Sequence, residues 1–173
     1  DTLPISSDVA TWSGTYNTVG SLSVAFTAST PVSWQEIKIG SISGTAAGSV
    51  SIGGTGAATA GSKISIGTSG IDMSAANQNL VLNAATIELL GATQTWNIAS
   101  GRNLRLGTTG TGSANANLDG SANTVVTIQG GGVMDANQGG GAGFTDAAGF
   151  ANFNGKWVVE SGATLRGIRN GAT

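Results

Sequence analysis

The sequence predicts an all-β protein, a right-handed parallel β-helix in which short strands wind around one hydrophobic core. Three observations carry this prediction: a composition that disfavours helices, a short aliphatic pattern that recurs along the chain, and a longer repeat in its second half. The 173 residues are enough for one domain with a core of its own.

The composition is poor in charge and rich in glycine. Charged residues make up 9% of the chain, which holds 29 glycines and only two prolines. Ser, Thr, Asn and Gly are poor residues for helix interiors, whereas the interleaved Ile and Val suit a pleated surface. A disordered chain is the alternative for such a composition, but 39% hydrophobic residues in regularly placed pairs argue against it.

A four-residue pattern of aliphatic, any residue, aliphatic and glycine recurs along the chain. Alternation with a period of two puts both aliphatic side chains on one face of a strand, and the glycine then allows a tight turn. The four copies begin at Ile37, Val50, Ile64 and Leu104.

Similar short strands are expected at Leu22–Phe26, Leu80–Leu82, Thr86–Leu90, Thr95–Ile98, Val125–Ile128, Lys156–Val159 and Thr164–Ile168. In the second half they start about 7 to 9 residues apart, so three strands and three corners would form a coil of roughly 22 to 25 residues. Coils stack at about 4.8 Å. The chain would then make about seven or eight coils.

An internal repeat supports the stacking of coils. The segment from Trp96 to Arg105 aligns without gaps to the segment from Trp157 to Arg166, an offset near three such compact coils. Its aromatic and aliphatic positions are predicted to fill the interior, and we take them as the structural core of the repeat: Trp96, Ile98, Leu104, Trp157, Val159 and Leu165.

The ends and loops divide the chain. Residues 1–31 are predicted to form an N-terminal cap, because they differ from the rest in holding three aromatic residues and both prolines, and a solenoid needs its open end covered. Residues 32–173 are predicted to form the coils, as a fragment of a longer chain. Residues 130–143 are expected to be a loop that leaves the stack.

The first half fits a β-helix less well. Its copies of the pattern, which begin at Ile37, Val50 and Ile64, lie further apart than the strand starts of the second half. Such spacing also suits shortened coils or antiparallel hairpins. An antiparallel β-sandwich therefore remains the alternative fold.

The repeat resembles a known family. The stretches at 94–107 and 152–167 each place an aromatic residue at the start of a strand, then a Ser-Gly corner, then a strand with a Leu-Arg pair. They are similar to the autotransporter-associated β-strand repeats of bacterial surface proteins. The resemblance implies a right-handed β-helical passenger that is exported to or beyond the outer membrane.

The residue types exclude several kinds of chemistry. The chain contains no histidine and no cysteine, which removes Ser-His-Asp and Cys-His catalysis and most zinc sites. The nine acidic residues are dispersed, and the glycine-rich segments lack the nine-residue aspartate repeat of calcium-binding coils. We therefore predict no catalytic residues, no cofactor and no metal.

Partners are constrained by charge and hydropathy. The net charge is −2 with scattered lysines and arginines, so no nucleic acid is expected. No apolar run approaches the roughly 20 residues that span a bilayer, so no membrane insertion is predicted. Trp34 lies among loop-like residues and is a possible contact for a glycan.

These expectations favour a structural role. We expect a secreted, non-enzymatic rod segment at the bacterial cell surface, able to associate with itself end to end or laterally into a fibre. An adhesin or polysaccharide-binding module on the same scaffold is the alternative. A polysaccharide-degrading enzyme, which would need two carboxylates within about 10 Å in a cleft, is the third hypothesis.

Overall fold

The computed structural model describes residues 5–16, 22–24, 31–44, 48–53, 61–107, 117–120, 123–138 and 153–169. Within these ranges the chain forms strands and turns and no helix. The strands are β1 (Val9–Tyr16), β2 (Leu22–Val24), β3 (Val32–Gly44), β4 (Ser49–Ile52), β5 (Lys63–Met73), β6 (Asn79–Leu82), β7 (Thr86–Leu89), β8 (Thr93–Ile98), β9 (Asn103–Leu106), β10 (Asn117–Asp119), β11 (Val125–Gln129), β12 (Val133–Gln138), β13 (Lys156–Val159) and β14 (Thr164–Arg169).

The strands form two parallel sheets that wind around a common core. One sheet runs β1-β3-β5-β8-β11-β13, with β7 and β10 joined beside it, and the other runs β14-β12-β9-β6-β4-β2. Each described pairing between these strands is parallel, and an isolated antiparallel bridge joins Ala99 to Gly131. The chain is therefore a parallel β-solenoid, and the antiparallel sandwich was wrong.

Each coil presents three faces. The long strand β5 pairs with β7 through its first residues and with β8 through its last ones, so it turns a corner without leaving the sheet. The first face comprises β7, β10 and the beginnings of β3 and β5. The second face comprises β1, the ends of β3 and β5, and β8, β11 and β13. The third face is the sheet from β2 to β14.

The coils are of unequal length, and most are longer than the sequence predicted. A short coil separates the register partners Leu80 and Leu104, whereas a much longer one separates Glu36 from Gly70. Six of the described strands stack on the third face, so seven or eight coils was an overestimate. The prediction failed because it took the closest strand spacing for all corners, whereas several corners contain longer segments.

The recurring aliphatic pattern marks successive faces of the solenoid. Ile37 lies on the second face, Val50 on the third and Ile64 on the first face of the next coil. The stretch of chain from one copy to the next is thus one face plus its corner. The first half contains no hairpin among the described strands, because each of them pairs in parallel with the coil before or after it.

The interior is built from columns of inward side chains. On the third face the column reads Leu22, Val50, Leu80, Leu104, Met134 and Leu165, one residue from each coil. The four middle members are fully buried. Because every second residue of each strand points inward, the parallel register places like side chains on top of one another.

Glycine at a corner allows adjacent coils to approach. Gly53 follows β4 with a φ of 100°, and a Cβ at this position would lie 1.9 Å from the carbonyl oxygen of Asn83 on the next coil. Its amide donates a hydrogen bond to the carbonyl of Val24 on the preceding coil. The glycine that closes this copy of the pattern is therefore required by close packing as well as by its conformation.

Two segments differ from their sequence-based description. The predicted loop at 130–143 contains β12, which pairs between β9 and β14 in the sheet of the third face. Residues 139–143 of that predicted loop lie outside the described residues. Flanking glycines and an aspartate in the strand hide its alternation. The N-terminal cap at 1–31 stays a prediction; β1 and β2 are the first strands of their sheets.

Candidate functional site

The outer surface of the third face carries a column of charged side chains. Leu104, Met134 and Leu165 point inward on β9, β12 and β14, so the residue after each of them points outward. The parallel register aligns these outward residues as Arg105, Asp135 and Arg166 on three successive coils. We call them the Arg-Asp-Arg column.

Asp135 is the buried centre of this column. Its side chain is fully buried, and its two oxygens accept hydrogen bonds from Arg166, with Nε at 2.7 Å from Oδ1 and Nη2 at 3.0 Å from Oδ2. Arg105 approaches from the other side, with Nη2 at 3.6 Å from Oδ2. That separation supports an ion pair but is too long for a good hydrogen bond.

The two arginines are therefore not equivalent. The hydrogen bonds to Asp135, together with its negative charge, raise the pKa of Arg166 above its ordinary value. Arg105 lacks such bonds, and its Nε is buried with no hydrogen-bond partner in the described part of the chain. Two positive charges face one negative charge, so the column has a net positive charge.

A small hollow adjoins Arg105 on the same face. Its volume is about 70 Å³, and it opens to solvent. Its walls come from three successive coils: Ser49, Asn79, Leu80, Val81, Asn103 and Arg105. Within it, the backbone amide of Asn103 donates a hydrogen bond to the side-chain oxygen of Asn79. The hollow is thus lined by hydroxyl, amide and guanidinium groups.

The other described ion pairs also link adjacent coils. On the second face Lys38 Nζ lies 2.6 Å from Asp72 Oδ2. Burial raises the pKa of Asp72, but hydrogen bonds from Lys38 and Ser74 and the charge of Lys38 outweigh it, so the pKa lies below its usual value. The same Asp72 raises the pKa of Lys38 by its hydrogen bond and its charge.

Glu88 occupies the corresponding place on the first face. Its Oε1 lies 2.7 Å from Lys63 Nζ, and its Oε2 accepts a hydrogen bond from the Ser65 hydroxyl at 2.6 Å. Burial raises the pKa of Glu88, but these two hydrogen bonds and the charge of Lys63 bring it below the usual value. Asp119 is the register partner of Glu88 on the next coil, so two carboxylates lie on neighbouring strands.

Glu88 is poorly suited to act as a general acid. Both oxygens of Glu88 are engaged by groups of the preceding coil, and its lowered pKa keeps it ionised. A general acid needs a raised pKa, as burial beside apolar groups would give it. In the ranges that are described, no three acidic, histidine or cysteine side chains form a group that could hold a metal ion.

Trp34 lies inside the solenoid rather than on an open surface. Its exposed fraction is 7%, and its ring meets that of Trp12 edge to face, with centroids 6.0 Å apart. Stacking on a sugar needs an accessible ring face, and this environment leaves little of the ring exposed.

The repeat-core residues lie at two depths in the stack. Trp96, Ile98 and Leu104 are fully buried, whereas Trp157 and Leu165 are half-buried and Val159 is 43% exposed. The last three belong to β13 and β14, the final strands of the two sheets. Their exposure follows from that position, since no further described coil covers them.

The repeat alignment holds on the third face and shifts on the second. Leu104 and Leu165 occupy one column with Met134 between them, so the offset between the two copies is two long coils rather than three compact ones. On the second face the column of Trp96 continues to Ile128 and Val159, which leaves Trp157 two positions out of register. The indole rings of Trp96 and Trp157 still touch edge to face, with centroids 5.7 Å apart.

Sequence reasoning missed Asp135 as the centre of the column. The signal was present, because Met134-Asp135 lies midway between the Leu-Arg pairs at 104–105 and 165–166. A search for a repeat at half the observed offset would have aligned Asp135 with Arg105 and Arg166.

Comparisons with family models, with curated proteins and with solved structures give no significant match for this chain. The part of the chain that the structure describes also contains no helix of the length and hydropathy that crossing a membrane requires. The functional conclusions therefore depend on the geometry above.

Proposed function

We propose that the chain is a non-enzymatic structural segment of a secreted bacterial surface protein, a β-solenoid rod of the autotransporter-passenger type. The observation that carries this proposal is that ion pairs connect adjacent coils. On each of the three faces a described ion pair joins one coil to the next: Lys63 with Glu88, Lys38 with Asp72, and Arg166 with Asp135. Such pairs fix the register of a stack, which is what a structural element requires.

The structural, rod-like role is supported by the fold, because a parallel β-solenoid suits a rigid rod. Export to the cell surface is supported by the resemblance of the repeats at 94–107 and 152–167. In the producing bacterium, antibodies against the chain should label intact cells, and external protease should remove the label. Label that appears only after lysis would contradict the surface assignment.

Self-association of the rod is supported by the location of its exposed apolar residues. The described large hydrophobic side chains with the highest exposure are Ile5 at 62%, Val9 at 49% and Val159 at 43%. Val9 lies in β1 and Val159 in β13, the two terminal strands of one sheet, and Ile5 precedes β1. Terminal strands of a sheet also present unpaired backbone groups, which favour pairing with another chain. A head-to-tail contact between such ends would propagate as a filament.

Val159→Lys and Val158→Lys test this contact as a matched pair. Val159 continues the interior column and is exposed at the end of the solenoid, whereas Val158 points to the outside of the same strand. We expect concentration-dependent association in sedimentation velocity, lost with Val159→Lys and kept with Val158→Lys. A monomer at all concentrations would contradict end-to-end association.

Two alternatives are separated by binding and turnover assays. The buried Trp34 gives an adhesin no open stacking platform, so Trp34→Phe should leave any glycan binding unchanged. The proposal also predicts that the purified chain releases no reducing ends from acidic or neutral polysaccharides. Release that is abolished by Glu88→Gln would establish the enzyme instead.

A further inference from the structure

We propose that the hollow beside Arg105 on the third face binds a single carboxylate group, carried by a small organic acid or by an acidic sugar. The site is independent of the structural role proposed above. It uses the part of the Arg-Asp-Arg column that the ion pairs leave unsatisfied.

The first support is the state of the Arg105 guanidinium. Arg166 already occupies both oxygens of Asp135, so Arg105 keeps only the 3.6 Å ion pair through Nη2. Its Nε is buried and has no hydrogen-bond partner among the described residues. A buried donor without a partner is rare in folded proteins, and a bound ion or an ordered water is one explanation for it.

The second support is the hollow itself. Outward side chains of three coils, Ser49, Asn79 and Asn103, form a row of hydroxyl and amide groups next to Arg105. The volume of about 70 Å³ is roughly half that of a cavity of about 150 Å³ that holds benzene. A carboxylate fits this space, whereas a sugar ring would have to remain in the solvent outside it.

The third support is charge and shape. The column has a net positive charge, and the Arg105 side chain is 28% exposed, so an anion can reach it. The guanidinium group offers parallel N–H donors in one plane, a geometry that matches the two oxygens of a carboxylate. The competing occupant is an ordered water molecule, which would bring no charge.

Titration of the ¹⁵N-labelled chain tests the site directly. Sodium acetate and sodium glucuronate are added in separate arms, with sodium chloride at equal ionic strength as the control. We expect a saturable shift of the Arg105 Nε–H resonance with a Kd on the order of 1 mM or weaker, as suits so small a ligand. Equal affinities indicate recognition of the carboxylate alone, and tighter glucuronate binding indicates an acidic sugar.

Two substitutions that each remove one positive charge locate the site. Arg105→Gln should weaken acetate binding at least tenfold. Arg102→Gln is the control, because Arg102 donates to the carbonyl of Asn77 and neither residue lines the hollow; it should change the affinity less than twofold. Equal effects of the two substitutions would overturn the proposal.

Val81→Glu tests the site without removing Arg105. Val81 is the register partner of Arg105 on the preceding coil and lines the hollow, so a glutamate there supplies a tethered carboxylate. This variant should lose the acetate response, and its urea midpoint at pH 7 should exceed that of Val81→Gln. If acetate and chloride shift the Arg105 Nε–H resonance of the wild-type chain equally, the hollow holds only water. That result would overturn the proposal.

Discussion

Replacement of Gln94 by leucine tests how the interior of the solenoid tolerates a polar side chain. Gln94 points inward from β8 and is 2% exposed. Its Oε1 accepts a hydrogen bond from the Trp96 indole at 3.0 Å, and its Nε2 donates to the carbonyl of Ile66 at 2.7 Å and, over 3.4 Å, to that of Leu90. Leucine has a similar size, so the substitution removes these bonds without opening a large cavity.

The lost bonds differ in cost, and the 3.4 Å bond to Leu90 is the weakest of the three. The Ile66 carbonyl still accepts a hydrogen bond from the amide of Leu90. Loss of its hydrogen bond from Gln94 therefore costs about 1 kcal/mol. The indole N–H of the fully buried Trp96 loses its only described partner, and an unsatisfied buried donor costs roughly 1 to 3 kcal/mol. The apolar leucine offsets part of this. We expect Gln94→Leu to lower the free energy of unfolding by about 2 kcal/mol.

Urea unfolding followed by circular dichroism measures the effect. Gln35→Leu is the matched control, because Gln35 bonds to the hydroxyls of Thr68 and Ser69 at an outer corner that water can reach, and it should lose about 0.5 kcal/mol. Adding Trp96→Phe removes the orphaned donor, so the double variant should lose about 1 kcal/mol less than the sum of the single changes. Full additivity, or equal losses for the two glutamines, would refute the reasoning.

Three further outcomes are expected in the same urea assay. The pKa of Glu88 is below its ordinary value, so its stabilisation is present above about pH 4.5 and is lost as the pH falls through the folded pKa; Glu88→Gln should lower the midpoint at pH 7 and flatten its fall in acid. In Gly53→Ala the added Cβ would lie 1.9 Å from a carbonyl oxygen, so this variant should lower the midpoint far more than Gly101→Ala. At Gly101 φ is also positive, but no described atom beyond its chain neighbours lies within 4 Å of the added Cβ. Equal effects would make conformation alone the cause. Arg166→Met keeps the aliphatic cover over Asp135 and removes both hydrogen bonds, so it should lower the midpoint, and Asp135→Leu in the same chain should restore it in large part; a double variant no better than the single one would refute this account.

The sequence predicted the class of fold because its signals are local. Alternating aliphatic residues followed by glycine identify short strands wherever they occur, as at Val50 and Ile64, and all of the strands predicted from this alternation that lie within the described residues are present. The signal failed for β12, where three glycines precede the strand and Asp135 lies between the inward residues Met134 and Ala136. The small side chain of Ala136 makes its alternation with Met134 too weak to detect.

The candidate site was not predictable by the same means. One full coil separates Arg105 from Asp135 along the chain, and another separates Asp135 from Arg166. Their meeting depends on the length of each coil, which differs from one part of the chain to another. An error of one residue in a coil would turn each outward side chain of the next strand inward.

The sequence by itself determined an all-β chain of short strands with an aliphatic interior and no histidine or cysteine chemistry, because composition and a period of two suffice for these conclusions. It favoured a parallel β-helix over an antiparallel sandwich, and the observed strand pairing decided between them. Only the tertiary structure decided the number of coils, the burial of Trp34 and the alignment of Arg105, Asp135 and Arg166. The physical reason is that stacking energy depends on which residues the corners bring into register, and corner lengths are set by packing between coils rather than by local preference.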